Sequence, residues 1–192
     1  MIRVRPWEDL AALAVFHRLD VSDHIEAELA RGVTYTAPGL FADWRMAQAQ
    51  GFLSLVAHTH PQGRPFAVIA LGQTGVSGVA QAALLAADHQ RHQIDLARLA
   101  ISIRQKMPAF AAETGLTRIE ARCWAGHPTA ARLLAAMGFA HEADLRGFGP
   151  GGTHAFRQFA WTAPIPAPPP APAQPPEDPL PGHPTQTPEE VS

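Results

Sequence analysis

Proline placement sets the first limit on what this chain can fold into. Twelve of the 19 prolines fall in the last 30 residues, from Ala163 to Ser192, and only seven remain for Met1–Thr162. Proline fixes φ and has no N–H to donate, so a stretch this dense in it builds neither a helix interior nor a central strand. The same stretch is poor in large apolar residues and cannot bury a core. We therefore expect one folded domain over residues 1–162 and a disordered, Pro-rich acidic tail over residues 163–192, acting as an extended spacer. Charge divides at the same point. The tail holds four acids (Glu177, Asp178, Glu189, Glu190) and no Lys or Arg, which leaves 13 of the 17 acids in the domain beside all 15 bases. The domain thus carries +2 and the whole chain −2. This near balance lacks the basic excess of a nucleic-acid binder.

Cys123 is the only cysteine, so no internal disulfide forms, as suits a reducing compartment. No apolar run reaches the roughly 18 residues a membrane helix needs. The first residues are charged and lack the apolar stretch of a secretory signal. These points lead us to expect a soluble, cytoplasmic protein.

Ile2–Arg5 alternates apolar and basic residues and reads as a short strand. Pro6 suits the first position of a helix, with Glu8 and Asp9 in its first turn and Leu10, Leu13 and Ala14 as its stripe. Ser22 or Asp23 is placed to cap a second helix that Gly32 ends, and a third helix is expected over Phe41–Gln50. Phe52–Thr59 and Phe66–Leu71 read as an antiparallel hairpin across a turn holding Pro61 and Gly63. Val79–Ala87 is rich in Ala and Leu, which favours helix, but its position between a hairpin and a helix assigns it to a strand. Asp88–Asp95 reads as a polar break. Ile94–Ala112 follows as a long amphipathic helix with Ile94, Leu96, Leu99, Ile103 and Met107 on one face and a stop or kink at Pro108. Arg118–Trp124 alternates as a strand. His127-Pro128 opens a helix through Met137 that Gly138 ends. Phe139–Arg146 and His154–Trp161 close the chain as two strands. The order is β–α–α–α–β–β–β–α–β–α–β–β, without internal repeats.

This order, with Arg118-Ile-Glu-Ala-Arg-Cys-Trp, then Ala-Ala-Arg-Leu-Leu-Ala-Ala-Met, then Gly138-Phe139-Ala-His-Glu-Ala-Asp-Leu-Arg, resembles the GCN5-related N-acetyltransferase (GNAT) superfamily. The resemblance implies an α/β (α+β) fold with a mixed, mostly antiparallel central sheet flanked by helices. It implies an acyltransferase moving an acetyl group from acetyl-CoA, as co-substrate, to a small-molecule or peptide amine. The family holds the CoA diphosphate on a glycine-rich loop at a helix N-terminus, where backbone N–H groups and the helix dipole suit an anion. The matching segment is Ala87, Asp88, Gln90, Arg91, His92 and Gln93, which contains no glycine, so its side chains would have to meet the phosphates. Many relatives carry a catalytic tyrosine where this chain has Leu134, and the one tyrosine is Tyr35. Glu120, on a central strand, is the candidate general base, set against a solvated or salt-bridged strand face.

Gly63-Arg-Pro65, Pro150-Gly-Gly and Phe156-Arg-Gln-Phe159 also resemble a phage- and prophage-associated GNAT-like group with degenerate phosphate loops. That resemblance implies an alternative: a virion-associated or CoA-binding component without catalysis. A homodimer fits either reading. His58 with His60, and His89 and His92 with Asp88 and Asp95, have metal-like spacings. An exposed turn and a polar helix start explain them without an ion, so no metal site is expected.

Overall fold

The computed structural model describes residues 2–49, 51–60 and 63–164. The tail expected from Ala163 onward lies outside the described residues from position 165, as does the turn proline Pro61. The strands and helices follow one another in the expected order: β1 (Ile2–Pro6), α1 (Asp9–Phe16), α2 (Val21–Arg31), α3 (Ala37–Gln48), β2 (Gly51–Thr59), β3 (Pro65–Gln73), β4 (Val79–Ala86), α4 (His89–Thr114), β5 (Arg118–Trp124), α5 (Ala130–Ala136), β6 (Ala140–Phe148) and β7 (His154–Thr162).

The strands form one seven-stranded sheet in the order β1-β2-β3-β4-β5-β7-β6. Every neighbouring pair is antiparallel except β4 and β5. Parallel neighbours need a long crossover, and α4 supplies it. Helices α1 and α3 cover one face, where Ala12, Val15, Phe16, Leu40 and Trp44 pack on Val56 and Val68. Helices α4 and α5 cover the other, where Ala100, Met107, Leu134 and Met137 pack on Ile119, Ala121 and Cys123. None of the described helices is long and apolar enough to cross a membrane.

β4 is a strand against its own composition. Its Ala and Leu residues favour helix in isolation, but β3 pairs along it from Gln73↔Ala80 to Ala67↔Ala86. Ladder pairing and burial between neighbours outweigh a weak intrinsic preference.

Five local expectations are corrected. Pro6 ends β1 rather than starting a helix, and α1 begins at Asp9. β1 is an edge strand, where the absent N–H costs nothing in the ladder. Asp20, not Ser22 or Asp23, caps α2, accepting from Ser22 N at 2.9 Å. Helix α3 starts at Ala37, one turn before Phe41, because Thr36 caps it and Pro38 occupies its first turn. The polar break Asp88–Asp95 is instead the beginning of α4, which starts at His89. As a result His92 is buried on Phe66, with ring centroids 5.3 Å apart, while Ile94 is exposed. Finally, α4 runs through Pro108 to Gly115, whose φ of 71° closes it. Pro108 is exposed and stands on the outer side of the helix, where a missing backbone N–H is tolerated.

Candidate active site

The sheet opens in its middle. β4 and β5 pair only from Val79↔Arg118 to Ala82↔Ala121. Beyond that point Ala83–Ala86 and Arg122–Trp124 part. A cavity of about 1280 Å³ runs through the parting. On one face it reaches Ser102, Lys106 and Phe110 of α4, and on the other Ala30, Arg31 and Trp44 of α2 and α3.

Helix α2 lies across the open end and places two carboxylates there. Asp23 Oδ2 accepts the N–H of Ala86, at the end of β4, at 2.6 Å. Glu26 Oε2 accepts the N–H of Trp124, at the end of β5, at 2.8 Å. The two acids thus staple the separated strands from one helix, on the face that also carries the buried Ala27.

Two histidines complete the cluster. His127 Nδ1 accepts from the N–H groups of Thr129 (3.2 Å) and Ala130 (3.0 Å), and so caps α5. Its ring proton therefore sits on Nε2 and is donated to Asp23 Oδ1 at 2.8 Å. His89 Nε2 lies 3.2 Å from the same oxygen. His89 Nδ1 faces Thr129 Oγ1 at 3.3 Å and Asp20 at 3.6 Å. One ligand atom from each of Asp23, His89 and His127 lies within 4.8 Å of the others, a spacing that could hold a metal ion. The donor chemistry opposes one: His127 has spent its lone pair on two backbone N–H groups, and Nε2 presents a proton rather than a ligand.

The titration behaviour follows from this packing. Burial alone would raise Asp23, but hydrogen bonds from His127 and His89 hold it below the usual carboxylate range. Burial alone would lower His89, but the Asp23 hydrogen bond and the charges of Asp23, Asp20 and Asp88 hold it above its ordinary value. Glu26 is pushed up to about 7, because burial outweighs the Trp124 N–H it accepts. Burial raises the Cys123 thiol to about 12, so it is no nucleophile.

The residues singled out in the sequence are dispersed by the fold. Gln90 and Gln93 line the cavity. Ala87 is buried and bridges to Leu19. Asp88 turns the chain from β4 into α4 at a φ of 22° and accepts from Arg91 N at 3.0 Å. His92 is buried with Nδ1 3.5 Å from Asp95. Arg91 is exposed, and its charge, with that of Arg64, adds to burial in lowering the pKa of Arg18. Glu120 accepts from Arg118 Nε at 2.7 Å, and Arg118 also pairs with Glu142, so Glu120 lies outside the cavity lining. The Tyr35 hydroxyl donates to the Phe16 carbonyl, and Leu134 is buried against α4.

The parting fits the slender, amide-bearing arm of acetyl-CoA: Ala82–Leu84 of β4 and Ile119, Ala121 and Cys123 of β5 line it, and the strand edges left unpaired beyond Ala82 and Ala121 offer backbone groups to its amides. A diphosphate fits less simply. Of the first-turn N–H groups of α4, Asp20 takes that of His89 at 2.9 Å and Asp88 takes that of Arg91. Near this helix start, the charges of Arg64 and Arg91 act on Arg18, and Gln90 and Gln93 line the cavity.

No protein-family model matches the sequence, and no curated protein does. Solved structures match it in shape. A GNAT-family acetyltransferase from Bacillus anthracis superposes with a TM-score of 0.64 at 13% identity, over 84% of this chain and 94% of that one. A phosphinothricin acetyltransferase from Sinorhizobium meliloti, solved with AcCoA, gives 0.59 at 10% over 84% and 88%. The ribosomal-protein-S18-alanine N-acetyltransferase of Escherichia coli gives 0.58 at 15% over 86% and 96%. The chain therefore has the fold of the GNAT acetyltransferases, as the element order led us to expect.

Sequence reading did not bring Asp23, Glu26, His89 and His127 together: it named Asp23 as a helix cap, His89 in a metal-like spacing and His127 at a helix start, and passed over Glu26. A signal for the first two was present. Asp23, Glu26, Ala27 and Ala30 recur at helical spacing, so α2 puts two acids on its inward face, where ionisable groups are rare unless they work.

Proposed function

We propose that this protein is a GNAT-type acyltransferase that passes the acetyl group of acetyl-CoA to an amine, with Glu26 as general base. The observation that carries the reading is the parting of β4 and β5 after Ala82 and Ala121, with a carboxyl titrating near 7 at its open end. Acetyl-CoA supplies an acetyl group activated as a thioester. Glu26 is partly ionised near neutrality, where a base can both hold and take a proton. It accepts a proton from the acceptor's ammonium group and leaves a neutral nitrogen, which attacks the thioester carbonyl; the C–N bond forms, the C–S bond breaks, and the proton shed by the nitrogen leaves with coenzyme A as its free thiol. The apolar walls exclude water, which would compete with the amine. Asp23 and His127 hold α2 and α5 at fixed positions around Glu26, so its carboxyl meets the substrate in one geometry. The reaction belongs, on our reading, to the cytoplasm.

Calorimetric titration with acetyl-CoA, followed by thiol release across a panel of amines, tests this. Glu26→Gln should lower kcat by about 100-fold and remove the limb of the pH profile near 7. An unchanged rate would discard Glu26, and no binding of acetyl-CoA near millimolar concentration would discard the reading. Binding without release of thiol would favour a CoA-binding protein that does not turn over.

A further inference from the structure

One corner of the domain gathers positive charge that no described carboxylate answers. It lies where the end of α1, the start of β3 and the start of α4 meet. Arg18, just past α1, donates from Nε to the Ala14 carbonyl and from Nη2 to the Pro65 carbonyl, both at 2.9 Å. Pro65 is the chain neighbour of Arg64. The Arg18 carbonyl accepts the N–H of Asp88 at 3.3 Å, and Asp88 Oδ1 accepts the N–H of Arg91 at 3.0 Å. These bonds bring Arg18, Arg64 and Arg91 to one corner, and all three are exposed. None of their guanidinium groups pairs with a carboxylate among the described residues. Burial lowers the pKa of Arg18, and the like charges of Arg64 and Arg91 lower it further, so the three act on one another within screening range.

The chain beyond Pro164 carries the opposite charge: Glu177, Asp178, Glu189 and Glu190, with no Lys or Arg. It can reach the corner. β7 ends at Thr162, which pairs with Arg118, and Arg118 pairs with Val79 at the start of β4. The corner lies past the other end of β4, where Ala86 pairs with Ala67 of β3. The distance is the length of β4, about 27 Å, and two strand spacings across the sheet, about 10 Å. Glu177 stands 13 residues beyond Pro164. A chain of that length reaches up to about 45 Å, so the first acid pair spans the gap without full extension. A tether of matching length gives a high local concentration, which a free anion lacks.

We propose that the acidic tail of this chain docks on the corner formed by Arg18, Arg64 and Arg91, through Glu177-Asp178 and Glu189-Glu190, and there competes with anionic ligands beside the cavity. Gln90 and Gln93, on either side of Arg91 in the first turns of α4, line that cavity. Exposed ion pairs are individually weak and screened by salt, so the contact governs access and adds little to the melting temperature. A ligand that needs the corner binds only the molecules whose tail is off. With the tail on in two molecules of three, such a ligand binds about threefold more weakly. The docking does not depend on acyl transfer; only its consequence for acetyl-CoA rests on that reading.

A nitroxide on Thr187→Cys, between the two acid pairs, reports the contact by NMR in the full chain; Cys123 is buried and stays unlabelled. At low salt the amide signals of Arg18, Arg64 and Arg91 should lose more than half their intensity, while that of Asp144 on β6 keeps its own. Neutralising the tail with Glu177→Gln, Asp178→Asn, Glu189→Gln and Glu190→Gln should restore the signals, as should Arg64→Gln with Arg91→Gln. About 0.5 M NaCl, which shortens the screening length to about 4 Å, should do the same. Inorganic diphosphate should restore them at matched ionic strength, and signals that stay weak in its presence would overturn the competition. No loss at the corner, equal loss at Asp144, or a loss that survives neutralising the acids would overturn the docking. So would a loss seen only when nitroxide and isotope label sit on different copies, since the tail would then serve a second copy. By calorimetry, the neutral-tail chain should bind acetyl-CoA about threefold more tightly than the wild type; equal affinity would overturn the consequence for that ligand. Absence of acetyl-CoA binding in both chains would reject the acyltransferase reading and leave the docking, read with diphosphate, in place.

Discussion

The two ends of the cavity treat their polar groups in opposite ways. At the end closed by α2 and the start of α4, each donor has an acceptor: Asp23 takes Ala86 N and His127 Nε2, Glu26 takes Trp124 N, Asp20 takes His89 N and Asp88 takes Arg91 N. On the α2–α3 wall, Arg31 Nη1 and Trp44 Nε1 have none. A satisfied cluster holds the structure together, because each bond it makes replaces one that water would have made. Unsatisfied buried donors make no such exchange and cost stability instead. The contrast sets the bonded cluster apart from a wall whose two buried donors make no bond among the described residues.

The strongest break of that contrast is at the satisfied end. Asp23→Asn keeps the size of the side chain but replaces one acceptor oxygen with a donor, which must face either Ala86 N–H or the His127 Nε2 proton. Chemical denaturation should show a loss of about 3 kcal/mol, the cost of a broken buried charged network. A loss below about 1 kcal/mol would mean that the cluster is not the staple described here.

A second test uses pH. The Glu26 pKa is raised in the folded protein to about 7, so the native state holds a proton that the unfolded chain releases above the ordinary carboxylate range. The native state binds more protons between about 4.5 and 7, and stability falls across that window as pH rises. Glu26→Gln mimics the protonated acid and keeps an oxygen for Trp124 N–H. Relative to wild type it should gain stability from pH 5 to pH 8 in denaturation curves. Parallel curves for the two proteins would show that Glu26 is not raised. His89 works in the same direction: its raised pKa adds stability that is complete below its ordinary value and lost as pH climbs through the folded one.

The third test is smaller. If phosphates rest on the arginines beside α4, Arg91→Ala should weaken acetyl-CoA binding about tenfold, with a shallower salt dependence and an unchanged melting temperature. Unchanged affinity would place the phosphates elsewhere. The smallest expected effect is from cutting the chain after Pro164. If the domain is complete by residue 162, as the proline distribution led us to propose, the melting temperature should not move. A large drop would make the tail part of the fold.

Element order was legible because periodicity and glycine stops are local. Gly32, Gly115 and Gly138 end their helices at φ values of 69°, 71° and 94°, where a side chain would be strained. Segment boundaries were less legible, since Asp20 competes with Ser22 and Asp23 as a cap and only the folded neighbours decide. Glu120 drew attention because it stands on a central strand, but Arg118, two residues back on the same strand face, claims its carboxylate. Glu26 and His127 gave weaker signals, because their roles come from partners 98 and 104 residues away, Glu26 with Trp124 and His127 with Asp23.

The sequence by itself determined the order of strands and helices and the absence of glycine at the start of α4. Those are properties of short windows, governed by dihedral preference and hydrophobic period. Tertiary structure alone decided that α2 crosses the parting of β4 and β5, and that Asp23 and Glu26 of that helix meet His89 and His127 from distant parts of the chain. Desolvation and hydrogen bonding act between neighbours in space, and no window of the sequence contains those neighbours together.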